Sequence, residues 1–155
     1  MAVDGLRRAI PEDAPAVSAL VNASFEKYIP VIGRKPLPMN ADHTDLIVNH
    51  DVWVLEQESE IIAVLEMVLK DDSLYIDTVA VSNAQQSRGI GKQLLQFAET
   101  RARELGRNAM TLFTNERYTV LLEMYARFGY VETHRVPVQG TDAIHFRKIL
   151  EKATI

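Results

Sequence analysis

Val79-Ala80-Val81-Ser82-Asn83-Ala84-Gln85-Gln86-Ser87-Arg88-Gly89-Ile90-Gly91-Lys92 runs from an apolar β-type segment through a short polar turn into a glycine-bearing helix start. A strand that feeds a helix this way makes an anion site. The first N–H groups of a helix lack internal partners and lie at the positive end of its dipole, so one phosphate can accept from several of them. Gly89 and Gly91 permit close approach, and Arg88 and Lys92 add charge suited to a pyrophosphate.

The better-known phosphate loops do not fit this stretch. A Walker loop needs a glycine five positions before Gly89 and Ser or Thr after Lys92, where Ala84 and Gln93 stand. A dinucleotide fingerprint wants a small residue at Leu94. A tight turn with no ligand remains the alternative reading of Gly89 and Gly91 taken alone.

Downstream the period changes. Ile90, Leu94, Leu95, Ala98, Ala102 and Leu105 recur every three or four residues and Gly106 follows, which predicts a long amphipathic helix. Ala109 to Thr114 reads as a strand, Val120 to Phe128 as a helix ending at Gly129, and Val131 to Val136 and Ile144 to Leu150 as two closing strands.

Upstream, Val52 to Glu56, Ile61 to Leu69 and Leu74 to Val81 read as strands. The run Ile61 to Leu69 does not alternate, which predicts a strand covered on both faces with Glu66 the lone charge inside it. A first helix is predicted over 13–27, an irregular loop with three prolines over 28–40, and a short helix from Asp42 to Asn49.

Composition narrows the function classes. One compact domain over 1–155 is predicted from 155 residues with 47% hydrophobic and 25% charged content. A net charge of -4 gives no basic footprint for nucleic acid. No apolar run approaches the roughly 20 residues that cross a bilayer, and no segment reads as a signal peptide, so no membrane role and a cytoplasmic location are expected. With no cysteine there is neither a thiolate metal site nor an acyl-cysteine route. His43, His50, His134 and His145 lack zinc-site spacing, and no metal is expected.

Gln86-x-x-Gly89-x-Gly91, set between the strand Val79-Ala80-Val81 and an amphipathic helix, resembles motif A of the GNAT superfamily of N-acetyltransferases. A second block, Tyr125-Ala126-Arg127-Phe128-Gly129-Tyr130, is similar to that family's Tyr-x-x-x-Gly-aromatic signature. Asn83 stands where the family often has proline, and Ser87 where a glycine is common. The resemblance spans nearly the whole chain.

The resemblance implies an α/β fold: a mixed, mostly antiparallel sheet of six or seven strands, flanked by about four helices and splayed near its middle. It implies acetyl-coenzyme A as cosubstrate, with the pyrophosphate on the amides of Gln86, Ser87, Arg88, Gly89, Ile90, Gly91 and Lys92. The pantetheine arm would lie along Val79, Ala80 and Val81, as an added strand does. Asn115 maps to a further cofactor contact, a strand amide at Val81 or its neighbour to the oxyanion site, and Tyr125 to the acid that protonates the leaving thiolate. Tyr125 also lies in the apolar stripe Leu121, Met124, Tyr125 and Phe128, which by itself reads as core.

The acceptor is then a primary amine on a small molecule, amino acid or xenobiotic, with protein N-termini or lysines a second class and a non-catalytic coenzyme A sensor a rival. An amine of pKa near roughly 10 must lose a proton during attack, to a carboxylate acting directly or through water. Glu66, Asp77 and Glu116 are the candidate bases, with Glu66 first; pairing of Glu66 with a structural cation is the alternative. Asp77 is expected to share a strand face with Tyr75, Val79 and Val81. The loop 28–40 and the connection 137–143 are expected to select the acceptor. An edge strand or the final hairpin offers a route to a homodimer.

Overall fold

The structure, a computed structural model, describes residues 3–86 and 88–151. Its elements are β1 (Leu6–Arg8), α1 (Ala14–Phe25), α2 (Ile29–Ile32), α3 (His43–Asn49), β2 (Asp51–Gln57), β3 (Glu60–Leu69), β4 (Leu74–Val81), α4 (Ile90–Glu104), β5 (Ala109–Asn115), α5 (Thr119–Arg127), β6 (Val131–Val138) and β7 (Thr141–Ile149). The strands form one seven-stranded sheet in the order β1-β2-β3-β4-β5-β7-β6.

Each face of the sheet buries a separate core. Val17, Leu20 and Val21 of α1 and Ile47 of α3 pack on Val52, Val54, Val64 and Ala80. On the other face Leu95, Ala98 and Ala102 of α4 and Tyr125 of α5 pack on Leu65, Met67, Met110, Leu112 and Ile144. β3 is therefore covered on both sides, as its continuous apolar run predicts.

All neighbouring strands are antiparallel except β4 and β5. That parallel pair is joined only at Leu74↔Met110 and Tyr75↔Thr111. β4 stays paired to β3 up to Val81, and β5 stays paired to β7 up to Asn115, so beyond Tyr75 the two strands part. The splay leaves one edge of β4 without a strand partner among the described residues.

A β-bulge lies opposite Glu66. Glu66 pairs with Thr78 and Met67 with Ile76, so Asp77 is the extra residue. Ile76 and Val79 both pack in the α4 and α5 core, while Asp77 between them feels His43 and His50 from the opposite face. This overturns the expectation that Asp77 shares a face with Val79, because the bulge breaks the two-residue period there.

Two further differences have local causes. The stretch 137–143 is not a loop: β6 and β7 run through it and turn only at Gln139 and Gly140, whose φ of 49° and 89° make a tight two-residue hairpin turn. The stretch 28–40 is less irregular than its prolines suggest. It holds α2, stopped by Gly33 in the left-handed region (φ 75°), and a short 3₁₀ turn at Leu37–Asn40. β6 forms the outer edge of the sheet and is exposed over nearly its whole length.

Candidate functional site

α4 begins in the mouth of the splay. Gly89 is its N-cap with φ 80°, a conformation glycine adopts without the steric cost other residues meet. The first bond of the helix runs from Gln93 N to Gly89 O at 3.1 Å, so the amides of Ile90, Gly91 and Lys92 have no partner within the helix.

The turn before α4 is braced by side chains. Gln86 Nε2 donates to Val81 O and to Asn83 Oδ1, both at 3.1 Å, and Gln86 Oε1 accepts from Lys27 Nζ at 3.1 Å. Ser24 Oγ also donates to Val81 O at 2.9 Å. The turn is thus held in shape independently of any ligand.

Backbone alternation decides what β4 offers the cleft. Ser82 N–H donates to Ile62 O, so Ala80 also points toward β3, and Val79 and Val81 point toward the opening. Val81 O is spent on Ser24 and Gln86, which leaves Val79 N–H, Val79 C=O and Val81 N–H.

These groups line one groove of about 520 Å³. Of the residues singled out in the sequence, Val79, Ala80, Val81, Gln86, Gly89, Ile90, Gly91 and Lys92 border it. Arg88 does not, and Ser87 lies outside the described residues. Lys27 and Arg127 border it as well and add cationic charge that the motif alone does not signal.

Gly91 carries a specific message. Its φ is not positive, and a Cβ built on it would meet no atom within 4 Å. Neither backbone strain nor protein packing calls for glycine there, so the space a side chain would fill is space the groove keeps clear.

Asn115 sits elsewhere. Its Nδ2 donates to Thr141 Oγ1 at 2.8 Å and its Oδ1 accepts from Arg117 N at 2.9 Å, both ends of the amide being used to fasten the end of β5. It borders a second, smaller cavity together with Arg34, Leu37, Pro38 and Phe113, and not the groove. The resemblance implies a cofactor contact for Asn115, and the structure places it on the smaller cavity.

Two tyrosines divide the cavities. Tyr28 borders the groove, Tyr118 borders the smaller cavity, and their rings lie 4.2 Å apart. Burial pushes the Tyr118 phenol up to about 12, with Arg34 pulling the other way. Tyr28 falls at helical spacing with Val17, Leu20 and Val21, but no pattern in the sequence pairs it with Tyr118.

Tyr125 lies under the groove, between its bordering residues Leu121, Met124 and Phe128. Its ring meets Tyr130 edge-on at 5.6 Å and Phe146 at 6.3 Å, and its hydroxyl makes no hydrogen bond among the described residues. Burial and then the nearby Tyr28 push its pKa well above the ordinary phenol range, so it stays protonated.

The three carboxylates have separate fates. Glu66 is 0% exposed, and its Oε2 accepts from His43 Nδ1 at 2.7 Å. A sealed side chain does not reach an amine directly, so of the two routes expected for the carboxylate, direct or through water, the direct one is closed to Glu66. Glu116 is engaged as well, its Oε2 accepting from Asp142 N. Asp77 is half-buried at the bulge, and burial pushes its carboxyl above the usual range against the pull of Thr78, His43, His50 and Lys70.

The profile of the acetyltransferase (GNAT) family matches residues 17–130. The chain belongs to the GNAT acetyltransferase family. A search of curated proteins finds no significant match.

Solved GNAT structures share the fold across almost the full chain. The PaiA N-acetyltransferase of Thermoplasma acidophilum, in complex with coenzyme A, superposes with a TM-score of 0.78 at 17% identity, over 96% of this chain and 99% of that one. The ribosomal-protein-S18-alanine N-acetyltransferase of Escherichia coli gives 0.72 at 17% identity, over 96% and 95%. A GNAT family acetyltransferase from Elizabethkingia anophelis with acetyl-CoA bound gives 0.65 at 18% identity, over 96% and 100%.

Proposed function

We propose that this GNAT protein transfers the acetyl group of acetyl-coenzyme A to a small primary amine. The observation that carries this reading is the groove in which the unpaired edge of β4 meets the free amides of α4, with Gly91 leaving room that the fold does not require. When bound, acetyl-coenzyme A supplies an activated thioester. The chain must bind it, orient it and move two protons.

The amides of Ile90, Gly91 and Lys92 hold the diphosphate, with Lys27, Lys92 and Arg127 balancing its charge. Val79 and Val81 present the groups that a strand-like pantetheine arm pairs with. Val79 N–H, the cleft-facing amide nearest the point where β4 and β5 separate, donates to the oxygen on which negative charge develops.

Tyr125 keeps its proton through burial and gives it to the departing sulfur. Asp77 takes the proton of the amine, its raised pKa making it a better acceptor than an ordinary carboxylate. The Glu66 and His43 pair holds that corner of the sheet. No cysteine exists to carry the acyl group, so the amine attacks directly with both substrates bound.

Thiol release from acetyl-coenzyme A in the presence of a panel of amines tests this. Amine-dependent release with intersecting initial-rate patterns is expected. Binding of acetyl-coenzyme A without release by any amine contradicts turnover and favours a sensor.

A further inference from the structure

The smaller cavity, of about 50 Å³, has mainly apolar walls from Leu37, Pro38, Phe113 and Ala143 and one cation, Arg34. Arg34 is anchored by neutral acceptors: its Nη2 donates to Val138 O at 3.2 Å and to Thr141 Oγ1 at 3.4 Å. Its Nε is buried without a hydrogen-bond partner among the described residues. Among the described residues no carboxylate lies within 4.0 Å of it; Arg103, Arg107 and Arg117 are also held by neutral carbonyls, but none of them has a buried nitrogen left without a partner.

An uncompensated guanidinium beside apolar walls is costly to maintain. The fold nonetheless fixes it across more than a hundred residues of sequence, from the end of α2 to the β6–β7 hairpin. A planar fork with spare donors matches a carboxylate, and the cavity is the size of such a group with a few attached atoms. The cavity also shares the Tyr28 and Tyr118 wall with the groove, so a molecule seated on Arg34 faces the cofactor site across two rings.

We propose that the acceptor is an amine that carries a carboxylate, and that Arg34 binds this carboxylate. Thr141 and Val138 hold the guanidinium in place as positioning groups. The proposal rests on the acetyl-transfer reading and adds the acceptor's chemical class to it.

The test compares α-amino acids with their decarboxylated amines, using wild-type protein, Arg34→Gln and Arg34→Lys. Thiol release is one readout, and calorimetric titration of the amino acid into coenzyme A-loaded protein is the other. Wild type is expected to favour the amino acid, and Arg34→Gln to raise its KM and Kd by about 10- to 100-fold with kcat little changed. The decarboxylated amine should be insensitive to Arg34→Gln, and Arg34→Lys should restore part of the loss.

Preference of wild type for the decarboxylated amine, or an equal effect of Arg34→Gln on both acceptors, overturns the proposal. If no amine is acetylated, the acetyl-transfer reading fails, and the titration still decides whether Arg34 binds an amino carboxylate. Coenzyme A binding by each variant, measured separately, reports that the fold is intact.

Discussion

Glu66 accepts a hydrogen bond from His43 Nδ1 at 2.7 Å, and the two side chains are 0% and 3% exposed. Glu66 Oε1 is buried with no partner among the described residues, and the Pro38 backbone adds to the pull of Glu66 on His43. The pair spans β3 and α3 beside the bulge that turns Asp77 toward α3. Glu66→Ala removes the acceptor, and burial then drives the His43 imidazole to its neutral form with Nδ1 unpaired, so a loss of about 1–3 kcal/mol in unfolding free energy is expected by denaturant titration.

The same contact sets a pH dependence. The hydrogen bond to Glu66 raises the His43 pKa in the folded state above its ordinary value, outweighing the opposing effect of burial. Stabilisation from protonated His43 is therefore complete below about pH 6.5 and fades as pH rises through the higher folded value. The stability difference between wild type and His43→Gln, followed from about pH 5.5 to 9, should shrink as pH rises. A difference that grows with pH contradicts the direction of the shift.

Tyr125→Phe should reduce kcat by about 10²-fold while coenzyme A affinity changes little, as for a group needed only as the leaving sulfur is protonated. Its hydroxyl bonds to no described residue, so thermal stability should stay within about 0.5 kcal/mol of wild type. Unchanged turnover returns Tyr125 to a packing role.

Asp77 must be ionised to accept a proton, and burial raises its pKa, so kcat/KM should climb with pH through that raised value. Asp77→Asn should lower the rate by about 10²-fold and flatten this acid limb. An unaltered limb in the variant assigns the proton to another group.

Much of this was legible from period and motif. The uninterrupted apolar run of β3, the three- and four-residue repeat of α4 and the strand–turn–helix junction at Val79–Lys92 each encode their structure locally. Glu66 announced itself as a charge in a buried strand, but its partner His43 lies 23 residues away on another element, and no local pattern links them. The bulge at Asp77 depends on how β3 and β4 align and leaves no mark in either strand alone. The bond from Asn115 to Thr141 was hidden for a similar reason, because Thr141 comes from the far hairpin. Gln139, a non-glycine residue with positive φ, concealed a tight turn inside what reads as a loop.

The central claim is that the amides at the start of α4 hold the diphosphate of coenzyme A. Gly91→Asp tests it, because the side chain enters open space and an acidic residue in the first helical turn favours the helix. Calorimetric titration of coenzyme A should give saturable one-to-one binding to wild type and an affinity at least about 100-fold weaker for the variant. Equal affinity in the two proteins would place the diphosphate somewhere else and contradict the account.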